Sequence, residues 1–211
     1  GGLVKKTPLK AYGRPMKAGI IAIKLREGDE LVDVVVAEPG DELVLSTAHG
    51  MAIRFRQSDV RAVGRNSSGV KGITLACDDK VVGMVVADPG ACLLTVCANG
   101  YGKRTPFGPN LEAEEGESEP DNGIDEEAGN NQNGADEPSV EDRGGEPDEE
   151  EEVSSQRSYR TQRRGGKGLR DIKTSERNGP VIGVVRICDD DELLMITARG
   201  KLQRIAADIL V

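Results

Sequence analysis

The chain repeats itself at an interval of about fifty residues, and this spacing limits the folds that it can adopt. Residues 34–40 and 84–90 align when the sequence is shifted by fifty positions, and the same turn ends at Gly50, Gly100 and Gly200. The third interval is twice as long, because it contains a strongly acidic segment. Repetition at this period is typical of proteins in which one supersecondary unit is stacked several times.

Within each unit, short β-branched runs alternate with turns rich in Asp, Glu, Pro and Gly, which is a pattern of β-strands and not of helices. Several short strands per unit at this period indicate the blades of a propeller-like all-β protein. We expect blades of about four strands each, with about three to three and a half blades in this chain. The expected units are residues 1–50, residues 51–100, residues 101–200 with the acidic insert, and residues 201–211 as the start of a truncated blade.

The acidic segment, residues 111–152, divides the charge of the chain into two parts. It contains 19 Asp and Glu and one Arg, whereas the other 169 residues carry 27 Lys and Arg against 18 Asp and Glu. The formal charge of −9 therefore averages a basic body and an acidic insert. The segment has few large apolar residues, so we expect it to be disordered. We hypothesise that it competes with nucleic acid for the basic body; the alternative is an inert insertion.

The cysteine, histidine and apolar content argues against several classes of function. There is no C-x-x-C pair and only one histidine, so metal-ligand spacing is absent. The four cysteines lie in or beside apolar runs, and we expect buried, reduced thiols in a cytosolic protein. There is no signal peptide and no apolar run long enough to span a bilayer, so membrane insertion is not expected. The cysteines are Cys77, Cys92, Cys97 and Cys188.

Residues 162–168 form the most basic loop of the sequence, Gln-Arg-Arg-Gly-Gly-Lys-Gly. Arginine supplies a fork of donors for phosphate, and lysine supplies a point charge. Glycine lets the backbone approach a polyanion without a Cβ in the way. Similar runs occur in disordered RNA-binding tails, but this one is set within a repeat of strands. We therefore interpret it as a phosphate-binding loop; the alternative is a solvated basic turn.

Cations recur at matching points of the repeat, after each turn glycine and again in the glycine-bearing loops 13–19, 64–72 and 162–168. Equivalent positions of radially repeated blades lie on one rim, so these cations are expected to form a curved belt for duplex DNA. For any single pair, a strand edge protected by Lys and Arg is the alternative. The scarcity of aromatic residues argues against stacking on single-stranded bases, and sequence preference should come from DNA deformability. The residues expected to contact DNA are Gln162, Arg163, Arg164, Gly165, Gly166, Lys167, Gly168, Lys5, Lys6, Arg14, Lys17, Arg54, Arg56, Arg65, Lys71, Lys103, Arg104, Arg160, Arg170 and Arg204.

Four stretches closely resemble the C-terminal domain of the DNA gyrase A subunit, namely residues 2–9, 19–25, 100–106 and 162–168. The last of these matches the gyrase-box motif. The resemblance implies a β-pinwheel, a relative of the propeller with about six blades in the complete domain. It also implies that duplex DNA is wrapped around the basic rim, so that the parent ATP-dependent type II topoisomerase introduces negative supercoils.

The same resemblance implies partners and a location. The chain would act with the rest of the gyrase A subunit and with the gyrase B subunit in a heterotetramer, in the bacterial cytoplasm at the nucleoid. ATP and Mg²⁺ would be used by that holoenzyme, whereas this chain itself is expected to hold no catalytic residue, metal or cofactor. Tyr12, Tyr101 and Tyr159 are expected to be packing or rim residues and not a DNA-cleaving tyrosine.

Two other functions stay open from the sequence. One is the matching domain of the topoisomerase IV A subunit, which relaxes and decatenates DNA; the intact loop 162–168 argues against it. The other is a propeller used as a protein-binding scaffold, in which the cations serve only solubility. A steep dependence of DNA affinity on salt would distinguish DNA binding from the scaffold.

Overall fold

A computed structural model describes residues 1–110 and 159–209, and within these ranges the protein is built from β-strands and turns. The strands of the described ranges are β1 (Leu3–Val4), β2 (Glu42–Thr47), β3 (Met51–Arg56), β4 (Val70–Lys71), β5 (Val81–Ala87), β6 (Cys92–Cys97), β7 (Gly102–Pro106), β8 (Leu169–Arg170), β9 (Val181–Ile187), β10 (Glu192–Ile196) and β11 (Leu202–Ala206). Short 3₁₀ helices span Leu9–Tyr12, Gln57–Asp59 and Ala207–Ile209. The expected all-β class is confirmed. The acidic segment, residues 111–152, lies outside the described residues, so its expected disorder stays a prediction.

Three hairpins form the framework, and each turns at one of the repeated glycines. β2 pairs with β3, β6 with β7, and β10 with β11, all antiparallel. Gly50 has a φ of 82°, a left-handed conformation that costs a residue with a Cβ far more than it costs glycine. A Cβ at Gly50 would also collide with the carbonyl oxygen of Ile172. The turn and the close approach of a later loop therefore both require glycine there.

The first two hairpins are extended by strands from later parts of the chain. β5 pairs with β2, with Leu43 opposite Val86, and β9 pairs in the same way with β6. On the other side of the first hairpin, β8 pairs with β3 and places Arg170 opposite Met51. The central sheet has the order β5-β2-β3-β8, and the next sheet has the order β7-β6-β9. A blade therefore combines strands of successive repeats, which ties each repeat to the next.

Residues 31–37 do not form the strand that the fifty-residue repeat predicts for them. They align with β5 and β9 in the repeat, yet they form no strand in the structure. β5 and β9 each pair with the hairpin that precedes them, whereas residues 31–37 pair with no strand of the described ranges. Without a ladder of backbone hydrogen bonds to fix the geometry, Val32, Val34 and Val36 stay more than half exposed, at 51%, 73% and 66%.

The core is mainly aliphatic, but three aromatic rings are among its buried side chains. Phe55 and Phe107 are fully buried, and Tyr159 is 7% exposed. Phe55 packs in a cluster with residues of β2 and β3, whereas Phe107 and Tyr159 pack between the first and second hairpins. The ring centroids of Phe107 and Tyr159 lie 6.3 Å apart, within the range of favourable aromatic pairs.

The four cysteines are free thiols, but they are not all buried. Cys97 is buried, and its burial, with a smaller contribution from the charge of Asp171, raises the pKa of the Cys97 thiol. Cys77 is exposed, so the expectation of a buried thiol is wrong at this position. Cys77 lies in the turn before β5, where the chain runs over the surface.

Candidate nucleic-acid interface

The loop of residues 162–168, called the box loop below, lies along the edge of the central sheet. At its entry, Thr161 forms a parallel bridge with Arg54, and the Gln162 amide donates a hydrogen bond of 2.7 Å to the Arg54 carbonyl oxygen. At its exit, β8 pairs with residues 51–52 of β3. Both ends of the box loop are therefore fastened to β3.

The glycines of the box loop have a packing role. Gly168 has a φ of 79°, and a Cβ there would lie 2.5 Å from the Ala52 carbonyl oxygen. Gly69, at the same position of the preceding loop, has a φ of 91° and would meet the Val4 carbonyl oxygen at 2.5 Å. The Gly165 amide already donates to the Gly72 carbonyl oxygen at 2.8 Å. Strand pairing and loop packing thus account for Gly165 and Gly168 without DNA, and the close phosphate approach expected from the sequence stays a prediction.

Successive loops are hydrogen-bonded to one another. The Thr74 amide donates to the Gly166 carbonyl oxygen at 2.8 Å, and the Thr74 hydroxyl donates to the Gly165 carbonyl oxygen at 2.7 Å. One repeat earlier, the Lys24 amide donates to the Ser67 carbonyl oxygen at 3.4 Å. The structure therefore brings the box loop, residues 64–72 and residues 20–24 into one continuous series, as the belt hypothesis requires.

The box loop and its neighbours present exposed cations whose charged groups make no hydrogen bond or ion pair within residues 1–110 and 159–209. On residues 159–171, called the box segment below, these are Arg160, Arg163, Lys167 and Arg170. Lys71, on the preceding loop, is exposed as well, and its aliphatic part lies 3.9 Å from the position of a Cβ on Gly165. Cations from two loops thus lie side by side and are accessible to a polyanion.

Arg14 and Lys17 are exposed on the first loop, residues 13–19, also without a side-chain partner in the described ranges. This loop leads into residues 20–24, which contact the second loop. Arg14 and Lys17 thus precede, in the sequence, the residues that join the series, and their contact with DNA stays a prediction.

Two loop arginines link neighbouring loops. Arg164 donates to the Lys71 carbonyl oxygen and, at 3.0 Å, to the Asp59 carbonyl oxygen. Arg65, its equivalent in the preceding loop, donates to the Ile21 carbonyl oxygen at 3.3 Å. Their guanidinium groups are thus used to hold the series of loops together, which sequence analysis did not anticipate.

The cations that follow the turn glycines recur for a structural reason. The Lys6 ammonium donates to the Gln57 carbonyl oxygen at 2.8 Å, and the Arg54 guanidinium donates to the Phe107 carbonyl oxygen. Arg104 likewise donates to the Ala207 carbonyl oxygen at 3.1 Å. The acceptors are equivalent residues one repeat further on. This inter-repeat clamp, made by Lys6, Arg54 and Arg104, joins adjacent repeats, so DNA binding is not needed to explain the repeated charge.

The prediction that Arg54 contacts DNA is wrong for this structure. Arg54 is 2% exposed, and its Nε lies 2.5 Å from Glu42 Oε2 in a buried ion pair. It also donates to the carbonyl oxygen of Tyr159 at 2.9 Å and to Asn110 Oδ1 at 2.7 Å. Sequence analysis missed this role because a charge pattern does not distinguish a buried clamp from a surface cation.

Several other predicted residues have internal partners or restricted exposure. The Lys5 ammonium donates to the Ala22 and Arg65 carbonyl oxygens at 2.7 and 2.6 Å, and the Lys103 ammonium donates to the Asp171 carbonyl oxygen at 2.7 Å. Arg56 is half-buried on β3. The Gln162 Oε1 atom is buried without a hydrogen-bond partner among the described residues. For these four residues, Lys5, Lys103, Arg56 and Gln162, contact with DNA stays a prediction.

Arg104 and Arg204 each form an ion pair with an acidic side chain. Arg104 pairs with Asp189, and this hydrogen bond is the main cause of the raised pKa of the Arg104 guanidinium. Arg204 pairs with Glu192, and both of these side chains are more than half exposed. Their contact with DNA also stays a prediction.

Arg61 is a candidate that sequence analysis missed. The parallel bridges Lys6–Ala62 and Arg54–Thr161 occupy equivalent places, so Arg61 corresponds to Arg160. Both arginines are exposed and have no side-chain partner in the described ranges. An alignment on Gly69 and Gly168, instead of on the fifty-residue interval, would have revealed Arg61.

A buried polar cluster lies behind the box loop. The Asp171 side chain, 2% exposed, accepts hydrogen bonds from the Tyr159 hydroxyl and, at 2.5 Å, from Thr95 Oγ1. Lys103 Nζ lies 3.7 Å from Asp171 Oδ1 and compensates its charge. Burial, followed by the charge of Asp171, raises the pKa of Tyr159, so its hydroxyl stays protonated as a donor.

The described residues contain no group of His, Cys, Asp and Glu side chains arranged to hold a metal ion. Across residues 1–110 and 159–209, no helix has the length and apolar character needed to cross a membrane.

The family model described as "DNA gyrase C-terminal domain, beta-propeller" matches residues 1–38, 41–88 and 155–188. The DNA gyrase A subunit of Salmonella typhimurium is 37% identical over 203 residues, which are 96% of this chain and 18% of that protein. The DNA gyrase A subunit of Escherichia coli is 36% identical over 203 residues, with the same shares of each chain. That of Haloquadratum walsbyi is 34% identical over 209 residues, which are 98% of this chain and 19% of that protein. The chain thus spans about a fifth of the length of these relatives.

Two solved structures share the fold. The C-terminal domain of DNA topoisomerase IV superposes with a TM-score of 0.70 at 20% identity, covering 99% of this chain and 50% of that one. The DNA gyrase A C-terminal domain superposes with a TM-score of 0.61 at 23% identity, covering 91% of this chain and 49% of that one. The segments matched by the family model include both the box loop and the loop that precedes it. Strand pattern, loop series and sequence agree, and the chain belongs to the DNA gyrase C-terminal domain family.

Proposed function

We propose that this chain binds duplex DNA along its series of loops and bends it around the rim. The observation that carries the proposal is the set of accessible cations on hydrogen-bonded neighbouring loops, from Lys71 to Arg163, Lys167 and Arg170. Cations in an ordered series neutralise successive phosphates and release counterions, which supports binding without reading bases. The buried clamp residue Arg54 takes no part in this contact.

We infer curvature from the radial arrangement of repeats in the propeller-type fold of the family. Each loop is hydrogen-bonded to the one before it through equivalent atoms, as at Thr74–Gly166 and Lys24–Ser67. A duplex that follows such a series must bend with it. Bending a site of 20–30 bp by 40–90° costs on the order of 1–6 kcal/mol, which several charge-assisted contacts can offset. Sequence preference then arises from the deformability of the DNA.

The proposal extends to the parent protein through its relatives, which are DNA gyrase A subunits. In that setting the chain is a DNA-wrapping region of the gyrase A subunit, which acts with the gyrase B subunit in a heterotetramer. The parent would be an ATP-dependent type II topoisomerase that introduces negative supercoils, at the nucleoid in the bacterial cytoplasm. ATP and Mg²⁺ would be bound by other regions of that enzyme.

A second candidate is the C-terminal region of a topoisomerase IV. The solved topoisomerase IV domain superposes on this chain with a TM-score of 0.70, higher than that of the solved gyrase A domain. The box loop, complete from Gln162 to Gly168, and the gyrase relatives favour the first candidate. Supercoiling of a relaxed plasmid by the reconstituted parent enzyme supports gyrase, whereas relaxation and decatenation alone support topoisomerase IV.

The proposal is tested by a topology-shift assay with the full-length protein. A nicked plasmid is sealed by ligase in its presence, and we expect the wrap to trap positive writhe. Combined substitution R163A, K167A and R170A should abolish this shift. The matched control, K80A with R199A and K201A, removes the same number of exposed cations from outside the three loops and should retain the shift. No shift with the wild type, or equal loss in both variants, would contradict wrapping along these loops.

A salt titration separates DNA binding from the scaffold alternative. If six phosphates are neutralised, the logarithm of the affinity should fall with the logarithm of the salt concentration at a slope of about −5. A flat dependence in the wild type would favour a protein-binding scaffold.

A further inference from the structure

Tyr159 and Asp171 are the first and last residues of the box segment, and their side chains are in contact. Tyr159 lies before the box loop and Asp171 after it, and the Tyr159 hydroxyl donates to Asp171 Oδ1. The hydrogen bond therefore joins the two ends of residues 159–171 behind the exposed cations. Tyr159 is 7% exposed and Asp171 is 6% exposed, so the bond lies in the interior.

The same carboxylate reaches the second hairpin. Thr95, on β6, donates to Asp171 Oδ2 at 2.5 Å, and Lys103, on β7, lies 3.7 Å from Oδ1. The box loop itself is held by the first hairpin through β3 and by the amides described above. Asp171 is thus the point at which the box segment, fastened to the first hairpin, is also fastened to the second.

The preceding loop lacks both residues. The Asp171 amide donates a hydrogen bond to the Gly50 carbonyl oxygen, and the Gly72 amide donates in the same way to Gly2. Because Gly50 and Gly2 are equivalent turn glycines, Asp171 occupies the place of Gly72. By the same register, Tyr159 occupies the place of Val60. A fold that needed this contact at every repeat would have it in both loops. Its presence only behind the box loop points to a role specific to that loop.

We propose that Tyr159 and Asp171 are positioning residues, which fix the cations of the box loop relative to both hairpins so that bound DNA is led along a curved path. The inference rests on the proposed function and adds to it the residues that set the position of the loop. Without the Tyr159 hydroxyl, the buried carboxylate loses one of its donors. The loop then keeps its charges but moves more freely against the second hairpin.

The test uses Y159F and D171N in the full-length protein, with Y101F as the matched control. Y159F keeps the ring that packs near Phe107, and Tyr101 is a 42% exposed tyrosine whose hydroxyl accepts from Arg177. Two DNA readouts are compared, namely the affinity for a short straight duplex and the positive writhe trapped on a plasmid. We expect Y159F and D171N to bind the short duplex within about threefold of wild type, since no exposed cation is removed, and to lose the trapped writhe. Y101F should keep both.

Amide hydrogen exchange gives a readout that does not depend on DNA. In Y159F, amides of residues 163–168 should exchange faster, while those of the equivalent residues 64–69 are unchanged. Unchanged exchange in the box loop, or full retention of writhe in both variants, overturns the positioning role. An equal rise in exchange across the whole chain also overturns it, because the change is then a general loss of stability. Failure of the wild type to trap writhe overturns the proposed function instead, and the exchange comparison still shows whether the two residues hold the loop.

Discussion

Arg54 Nε and Glu42 Oε2 lie 2.5 Å apart, and neither side chain is more than 1% exposed. Arg204 and Glu192 are the equivalent residues of a later repeat, and their pair is at the surface, with side chains 68% and 53% exposed. The first pair is covered by residues of the next repeat, including Phe107, whose carbonyl oxygen accepts a hydrogen bond from Arg54. The same two residue types therefore form a buried clamp at one place and a solvated ion pair at another.

R54A should strongly destabilise the protein. It leaves the Glu42 carboxylate buried without its cation, and breaking a buried pair in this way costs about 3–5 kcal/mol. R204A removes the surface pair and should change stability by no more than about 1 kcal/mol. Denaturant unfolding of the two variants measures the difference. Equal stabilities would show that the burial of Arg54 has no energetic consequence.

G168A should destabilise the box loop, because it combines a positive φ with a Cβ 2.5 Å from the Ala52 carbonyl oxygen. Strain of this kind costs about 1–3 kcal/mol, and displacement of β8 should also weaken DNA binding. G166A is the matched control, since a Cβ there meets no atom closer than 3.6 Å. Thermal unfolding and duplex binding are measured together. If G166A is as damaging as G168A, the argument from the Ala52 contact is wrong.

R61A should weaken duplex binding as R160A does, because the two arginines occupy equivalent exposed positions. Each phosphate contact that is lost should reduce the salt slope by about 0.9. The double variant should therefore lower the slope by about twice that amount. Affinity at several salt concentrations checks this, with K80A as a control that leaves the slope unchanged. A slope identical to wild type in R61A would remove Arg61 from the interface.

The stability of the protein should fall at alkaline pH partly through Tyr159. Burial raises the pKa of Tyr159, so the folded state keeps this proton after the unfolded chain begins to lose it near pH 10. The unfolded state then binds fewer protons, and the free energy of unfolding decreases as the pH rises, by at most about 1.4 kcal/mol per pH unit for this group. Y159F should show a shallower decline above about pH 10. Denaturant unfolding across that range, with Y101F for comparison, tests the sign, and parallel curves for all three proteins would refute it.

Deletion of the acidic segment, residues 111–152, should tighten DNA binding at low salt if it competes for the cations. Its net charge of −18 is placed between β7 and the box loop in the sequence. A neutral Gly- and Ser-rich replacement of equal length separates the effect of charge from that of chain length. Fluorescence anisotropy with a short duplex measures the affinity. If deletion and replacement both bind as wild type does, the segment is an inert insertion.

The sequence predicts the hairpins well, because their turn glycines and β-branched runs are local features. Gly50, Gly100 and Gly200 mark the three turns, and the strands beside them follow the expected pattern. The pairing of β5 with β2 and of β8 with β3 in the central sheet cannot be predicted from such local features. Strand pairing between different repeats depends on which sheet edges meet in space, and no local pattern records that.

The interface is only partly predictable, for a different reason. Arg163 and Lys167 are exposed as expected, and the box loop does join its neighbours. Arg54 has the same charge and the same periodicity as a surface cation, yet the cover supplied by Phe107 makes it part of the interior. Arg61 escaped notice because the loops repeat at a slightly different interval from the strands. The charge of a side chain follows from its residue type alone, whereas its exposure to solvent also depends on which residues of the neighbouring repeat cover it.

The clamp at Lys6 and Arg54 and the close glycine contact at Gly69 and Gly168 recur from one repeat to the next, so removing or duplicating one whole unit would keep these contacts. The length of surface offered to a partner would then change in fixed steps, whereas a contact specific to one loop, such as Tyr159–Asp171, would depend on which unit is kept.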